Sequence, residues 1–423
     1  MIKAPKGTYD VLPNISHAWR KIEDAEREVA RLAGYREIRT PVFEHTELFL
    51  RGVGDTTDIV QKEMYTFKDK GDRSITLKPE GTAGVVRAML ESGLNQGVMP
   101  LKVYYLSSPI FRYEAPQSGR MREHHQFGVE AFGARQPTLD AEVISIPLDV
   151  LTKLGLSDFA LNINSIGCPK CRPHYHERLR EYLTQRKDKL CATCNDRLLR
   201  NPLRILDCKS DECQAELKDA PVMLDFLCDE CAAHFAGLKD ALDAIGVSYA
   251  VNPRIVRGLD YYTKTVFEII ISADEGKLTV CGGGRYDELV SELGGQPTPA
   301  IGFGMGIERL LMLLQRQNKS PEAEPICDVF VATLTPESRL EAVRYVSALR
   351  ALGVKADMDH VGRSLKAQFK FADKVGAGYV LILGGDEAAQ GEAVLRNLTA
   401  HTEDRVALEG LAQTVAETIL AKR

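Results

Sequence analysis

The stretch Phe111-Arg112-Tyr113-Glu114, a polar loop from Ala115 to His125, and then Gln126-Phe127-Gly128-Val129-Glu130 decides how this chain is read. Its two ends have the texture of strands joined by a long loop. Alternate side chains of a strand share one face. Arg112 and Glu114 are therefore expected to point together, as are Gln126, Gly128 and Glu130. Gly128 between two polar residues leaves room for a ligand above the sheet. An isolated RxE would be read as a surface ion pair. With Arg120 and Arg122 in the loop and apolar flanks on both strands, the pattern points instead to an anionic ligand.

A second element lies far downstream, at Ala300-Ile301-Gly302-Phe303-Gly304-Met305-Gly306-Ile307-Glu308-Arg309-Leu310-Leu311. Glycines at alternate positions bare a strand face for close backbone approach. The helix that follows carries Arg309 to the edge of that face. Tight helix–sheet packing is the competing reading of the glycines.

Between and around these elements the chain alternates short β-branched and aromatic runs with Gly, Pro and Asp. Ile38–Phe43, Met64–Phe67, Ile75–Leu77, Lys102–Ser107, Gln126–Phe132, Thr265–Ile271 and Leu278–Cys281 predict an antiparallel sheet with irregular connections. Ala18, Ile22, Ala25, Val29 and Leu32 repeat at helical spacing and stop at Gly34. Gln315 to Pro325 is a polar linker. Beyond it, apolar runs at 328–333, 354–358 and 379–383 alternate with helical patterns at 336–352 and 364–375, which predicts a separate α/β domain with a partly parallel sheet. The expected domains are 1–325, interrupted by a cysteine-rich insertion at 168–235, and 326–423.

At 423 residues the chain exceeds one compact core. Its 44% hydrophobic and 27% charged content are globular values. A net charge of −5 gives no general attraction to nucleic acid, so phosphate binding would need local basic patches. One candidate is Pro169–Ser210, with eleven Lys/Arg against five Asp/Glu; a solvated helical face is the alternative. Another is Arg363, Lys366, Lys370 and Lys374, spaced to line one side of a helix. The first seven residues lack a signal-peptide pattern and no apolar run approaches bilayer length. A cytoplasmic protein without membrane contact is expected.

Eight of the ten cysteines fall between 168 and 231, as Cys168/Cys171, Cys191/Cys194, Cys208/Cys213 and Cys228/Cys231. Three of these are CxxC pairs, a metal-ligand spacing rather than a disulfide pattern in this setting. A structural zinc site on Cys168, Cys171, Cys228 and Cys231 is the reading from spacing.

The Arg112 and Arg309 elements together resemble the second and third signature motifs of class II aminoacyl-tRNA synthetases. Gly34–Glu44, with Pro41, resembles the first, which implies a dimer interface and hence a homodimer. Arg257-Gly258-Leu259-Asp260-Tyr261-Tyr262 and Gly282-Gly283-Gly284-Arg285-Tyr286-Asp287 resemble the histidine-specific motifs of the histidyl-tRNA synthetases, as does Lys78-Pro79-Glu80-Gly81-Thr82. The resemblance implies an α+β catalytic domain on a mixed, mostly antiparallel sheet of class II type, a helical insertion and a C-terminal α/β anticodon-binding domain. It implies ATP-dependent ligation of L-histidine to tRNA(His) through histidyl-adenylate, with Mg²⁺ accompanying ATP. Arg257 and Arg112 would be catalytic. Arg112, Glu114, Arg120, Arg122, Phe127 and Arg309 would hold ATP, with adenine between Phe127 and Arg309. Glu80, Thr82, Gln126, Glu130, Arg257, Tyr261, Tyr262 and Tyr286 would form the histidine pocket. An imidazole has a nitrogen at each end, so polar partners are needed on both sides. Gln117, Arg363, Lys366 and Lys370 would meet tRNA. The family's insertion does not generally require metal, so on this ground zinc is not favoured over free thiols.

The resemblance also covers a non-catalytic relative, a regulatory subunit of ATP phosphoribosyltransferase. That relative has eroded ATP motifs and no anticodon-binding domain, whereas Arg112, Arg257 and Arg309 are present here and about a hundred residues follow the core. A pseudo-synthetase stress sensor would carry a kinase domain, which this sequence does not contain.

Overall fold

The computed structural model describes residues 1–54, 57–116, 119, 121–208, 210–273 and 276–421. The chain divides into two units, Met1–Pro321 and Glu322–Arg423, inside the polar stretch where its composition changes.

In the first unit one sheet collects β1 (Arg36–Glu37), β2 (Leu101–Phe111), β3 (Glu123–Phe132), β4 (Phe159–Ser165), β5 (Ala250–Val251), β6 (Thr263–Ala273), β7 (Gly276–Arg285) and β8 (Ala300–Gly306). Their spatial order is β1-β2-β3-β8-β7-β6-β4-β5. The six inner strands are antiparallel, and the two-residue strands β1 and β5 add in parallel at the edges. This is the mixed, mostly antiparallel sheet that the class II resemblance implies. The predicted strand at 38–43 is broken: pairing occurs at Arg36–Glu37 and again at Phe43–His45, on either side of Pro41, which has no N–H to give a ladder. Phe43–His45 joins Ser74–Leu77 and Tyr65–Lys68 in a separate small sheet. The glycine run at 282–284 lies inside β7 rather than after it.

The helices that frame the site are α1 (Pro13–Leu32), α2 (Thr82–Glu91), α3 (Pro137–Lys153), α4 (Arg172–Thr184), α5 (Ala192–Arg200), α6 (Asp211–Glu216), α7 (Asp229–Ala244) and α8 (Ile307–Arg316). One face of the main sheet is sealed by α1, α3, α7 and α8. Phe127, Val129, Phe267, Ile269, Ile301 and Phe303 point into that layer and meet Ile22, Ile144, Leu151, Leu238 and Leu310. Each fully buried side chain of this kind contributes about 1.5–3 kcal/mol, so this face is the structural one. By strand alternation the other face carries Gln126, Gly128 and Glu130.

The insertion is not a bounded block. Leading residues of α7 pack with the cysteine-rich cluster, while Phe235, Leu238 and Leu242 of the same helix enter the main core.

The second unit contains β9 (Val329–Thr333), β10 (Ala356–Met358), β11 (Tyr379–Leu383), β12 (Glu392–Asn397) and β13 (Thr402–Ala407), in the order β10-β9-β11-β12-β13. The first three are parallel and the last two form an antiparallel hairpin. Helices α9 (Ser338–Ala351), α10 (Leu365–Lys374) and α11 (Leu411–Leu420) belong to it, with a single helical turn at Asp386–Ala389. Helix α10 buries Gln368 and Ala372 and exposes Lys366, Lys370 and Lys374. Arg363 does not belong to this row. It precedes the helix, pairs with Asp359 at 2.7 Å and lies 4.3 Å from the Phe371 ring.

Candidate active site

The site is built on the open face of the main sheet, and its register explains the glycines. Gln126, Gly128 and Glu130 of β3 lie opposite Gly306, Gly304 and Gly302 of β8. Gly304 and Gly302 in turn face Gly282 and Gly284 of β7, and Gly282 faces Glu268 of β6. A β-carbon on Gly302 would overlap the Glu130 carboxylate, and one on Gly282 would overlap the Arg257 guanidinium. The bare strands therefore make space for an acid at one end and a cation at the other.

Arg257 lies over Gly282, bonds Glu268 at 2.6 Å and sits 5.6 Å from the Tyr262 ring. Burial opposes its charge, but Tyr262 and Glu268 hold its pKa above the ordinary value. Glu268 is raised by burial and pulled back down by Arg257 and also by Arg309. Two guanidinium groups thus act on one carboxylate. Arg309 enters from the first turns of α8 and donates to the carbonyl of Thr279. Arg112 donates to the Pro79 carbonyl at 2.8 Å and lowers the pKa of buried Glu80 against the effect of burial. Arg257 and Arg309 thus lie around Glu268 beside Gly282, and Arg112 lies by Glu80.

Buried acids and phenols gather beside them. Glu130 is fully buried and accepts from Thr82 Oγ1 at 2.7 Å and from the Tyr286 hydroxyl. Glu80 accepts from the backbone N–H groups of Thr82 and Ala83, both at 2.8 Å, so it anchors the start of α2. Tyr261 donates to Glu80 at 3.4 Å and packs edge-on against Tyr286. Tyr262 is buried beside it.

Strand β2 ends at Phe111, so strand alternation does not place Arg112 and Glu114; both follow in a turn, with Glu114 N–H bonded to the Arg112 carbonyl at 2.9 Å. Phe127 does not face the site. It is fully buried on the helix side, with its ring 5.5 Å from Phe303. His124, three residues earlier on β3, shares the parity of Gln126 and Glu130 and so belongs to their face by strand alternation, which is readable in the sequence. Glu268 and Arg285 were also missed as polar anchors. Arg122 is fixed by Gly7, whose carbonyl takes its N–H at 2.9 Å, and stacks 4.2 Å from Tyr113. Gln117 and Arg120 lie outside the described residues. The cysteines assemble as Cys168, Cys171, Cys228 and Cys231, and as a second quartet, Cys191, Cys194, Cys208 and Cys213.

Burial pushes the Glu130 carboxyl up to about 8, with the Tyr286 and Thr82 bonds opposing it. The folded chain therefore holds a proton there that an unfolded chain releases near 4.5. The stabilising contribution is whole below that lower value and is lost as pH rises through the higher one, by about 1.4 kcal/mol per pH unit between them. Glu130→Gln removes this slope. Urea unfolding followed by the fluorescence of Trp19 should show the variant gaining on the parent chain between about pH 5 and pH 7.5. A constant difference across that range would show that Glu130 is not the shifted group.

A family profile described as Histidyl-tRNA synthetase matches residues 7–310, and one described as Anticodon binding domain matches 328–418. The histidine–tRNA ligase of Clostridium novyi (strain NT) is 51% identical over 99% of this chain and 99% of that protein. That of Caldicellulosiruptor saccharolyticus is 51% identical over 99% of this chain and 100% of its own length. The crystal structure of apo Staphylococcus aureus histidyl-tRNA synthetase superposes with a TM-score of 0.84 at 38% identity, covering 98% of this chain and 99% of that one. The chain belongs to the histidyl-tRNA synthetase family.

Proposed function

We propose that the open face binds ATP and histidine side by side and that its three arginines carry the charge of the reaction. The ligase activity itself, joining histidine to tRNA at the expense of ATP, follows from family membership over the whole chain. What supports the site reading is that Arg257 lies over Gly282 with Arg309 acting on the same Glu268, while Arg112 acts on Glu80, whose neighbour Thr82 bonds buried Glu130.

The reaction needs no enzyme nucleophile. A carboxylate oxygen of histidine attacks the α-phosphorus of ATP, supplied as its magnesium complex. The bond to the bridging oxygen breaks and pyrophosphate leaves. Arg257 and Arg112 neutralise charge building on the α-phosphate, and Arg309 and Arg122 meet the outer phosphates. Adenine lies between His124 and Arg309, in the place that the family resemblance gives to Phe127. Glu80, Thr82 and Gln126 receive the amino group; Glu130 and Tyr262 bracket the imidazole, and Tyr261 and Tyr286 close the pocket. A hydroxyl of the tRNA terminal adenosine then attacks the carbonyl carbon, and AMP departs. Exposed Lys366 and Lys370 offer phosphate contacts to tRNA. Arg363 has its charge engaged by Asp359 and serves to shape that surface.

A homodimer is part of this reading. Exposed Phe43 and Phe67 project from the small three-stranded sheet next to Pro41, an apolar surface suited to a second copy. Among the described residues no helix is long and apolar enough to cross a membrane, which agrees with a place in the cytoplasm, where translation runs.

ATP–pyrophosphate exchange across the amino acids tests the specificity. Histidine alone should support it, because an analogue without both ring nitrogens leaves Glu130 or its partner unpaired, a discrimination of about 10⁴-fold or more in comparable sites. Equal exchange with phenylalanine or no amino acid at all would refute the pocket.

A further inference from the structure

The geometry points to two mononuclear zinc sites in the insertion, each held by four cysteine thiolates. Cys168 and Cys171 follow β4 in the turn that opens α4; Cys228 and Cys231 come about sixty residues later, at the start of α7. Their sulphurs lie within 4.8 Å of one another, with Cys168 Sγ 3.6 Å from Cys171 Sγ and 3.9 Å from Cys228 Sγ. The second quartet gathers Cys191 and Cys194 at the start of α5 with Cys208 and Cys213 around the start of α6. It too falls within 4.8 Å, and Cys191 Sγ is 3.9 Å from Cys208 Sγ.

Those separations have a simple meaning. Four sulphurs about 2.3 Å from one tetrahedral ion stand about 3.8 Å apart. Thiols used as small apolar fillers have no reason to meet in fours, still less twice, from segments distant in sequence. All eight are free, so the quartets are not pairs of disulfides. Backbone amides are also turned on the sulphurs: Cys228 N–H on Cys171 Sγ at 3.1 Å, Cys191 N–H on Cys213 Sγ at 3.2 Å, and Ser210 N–H on Cys208 Sγ at 3.5 Å. Such donors suit a thiolate that shares its charge with a metal. An all-sulphur tetrahedral set selects zinc among the common divalent ions; iron is the alternative the test must exclude. There is a need for such staples too, since a segment of this size builds only a small core.

The sites would brace the histidine pocket from outside. Arg172, next to Cys171, donates to the carbonyls of Ile166 and Tyr262. Asn201, on the chain between Cys194 and Cys208, donates to Asp260 at 3.0 Å, while Arg197 and Arg204 pair with Asp58 at 2.8 and 3.2 Å. Both quartets therefore tie down the Arg257–Tyr262 string.

Elemental analysis and native mass spectrometry of the full chain, purified without chelators, test this. Two zinc ions per chain are expected, with X-ray absorption reporting four sulphur neighbours at about 2.3 Å. Cys194→Ser and Cys231→Ser should each retain one zinc, and the double variant none. If a variant does not fold, the stoichiometry and sulphur count of the unaltered chain decide. Fewer than two zinc per chain, iron in their place, or nitrogen and oxygen ligands would overturn the assignment.

Discussion

Replacing Arg257 with alanine should lower the rate of histidyl-adenylate formation by about 10²–10³-fold, the usual effect of removing one charge donor to a transition state. The side chain is poised for that role. It is held over Gly282 by a 2.6 Å contact with Glu268, and its charge is maintained despite burial. Negative charge grows on the α-phosphate only as the carboxylate attacks, so the loss should fall on turnover more than on the KM for ATP. Lysine at this position should recover little, because a point charge does not reproduce the planar fork. Removing Arg257 also leaves Glu268 with a neighbouring charge fewer, so the fold must be checked beside the rate. Unchanged Trp19 fluorescence, with pyrophosphate exchange reduced less than threefold, would take Arg257 out of the chemistry.

Arg285→Met should destabilise the first unit by about 3–5 kcal/mol, the cost of stranding a buried charge. Arg285 and Asp140 are both fully buried and meet at 2.6 Å. The guanidinium also donates to the carbonyls of Ala134 and Gln136 and to Asp287. Asp140 accepts in addition from His234 and Thr265, each at 2.7 Å, so the pair joins β7, β6, α3 and α7. Without the arginine, Asp140 keeps those two partners but loses its countercharge. A change of this size is a large part of the stability of a typical domain. Because the protein's one tryptophan is Trp19 on α1, its fluorescence reports unfolding of this unit rather than of the C-terminal one. A loss under about 1 kcal/mol would mean that the network is solvated and carries little load.

Much of the architecture was legible because its signals are local. The buried strands β9 and β11 are continuous apolar runs, and α10 follows from spacing alone. The arginines on which the proposed site rests stand out in the sequence through the motifs around them. What failed depends on parity and on contacts between distant segments. The family resemblance puts Phe127 beside adenine, yet one residue along a strand reverses the face: Phe127 is buried against Phe303, while His124 shares the parity of Gln126. Arg112 escaped the alternation argument because β2 stops one residue before it. Glu268 gains its meaning only from standing opposite Gly282. Arg285, inside a histidine-motif string, is fully buried against Asp140. The second cysteine quartet was hidden because Cys208 and Cys213 are not in CxxC spacing, and proximity to Cys191 and Cys194 is created by the fold.

The most direct measurement is a crystal structure of the full chain with a non-hydrolysable histidyl-adenylate analogue. Arg112 and Arg257 should reach its phosphate oxygens at about 2.7–3.2 Å, with the imidazole between Glu130 and Tyr262 and the adenine beside His124 and Arg309. An analogue seated away from the glycine-lined face, or bound there with both guanidinium groups turned from the phosphate, would contradict the account.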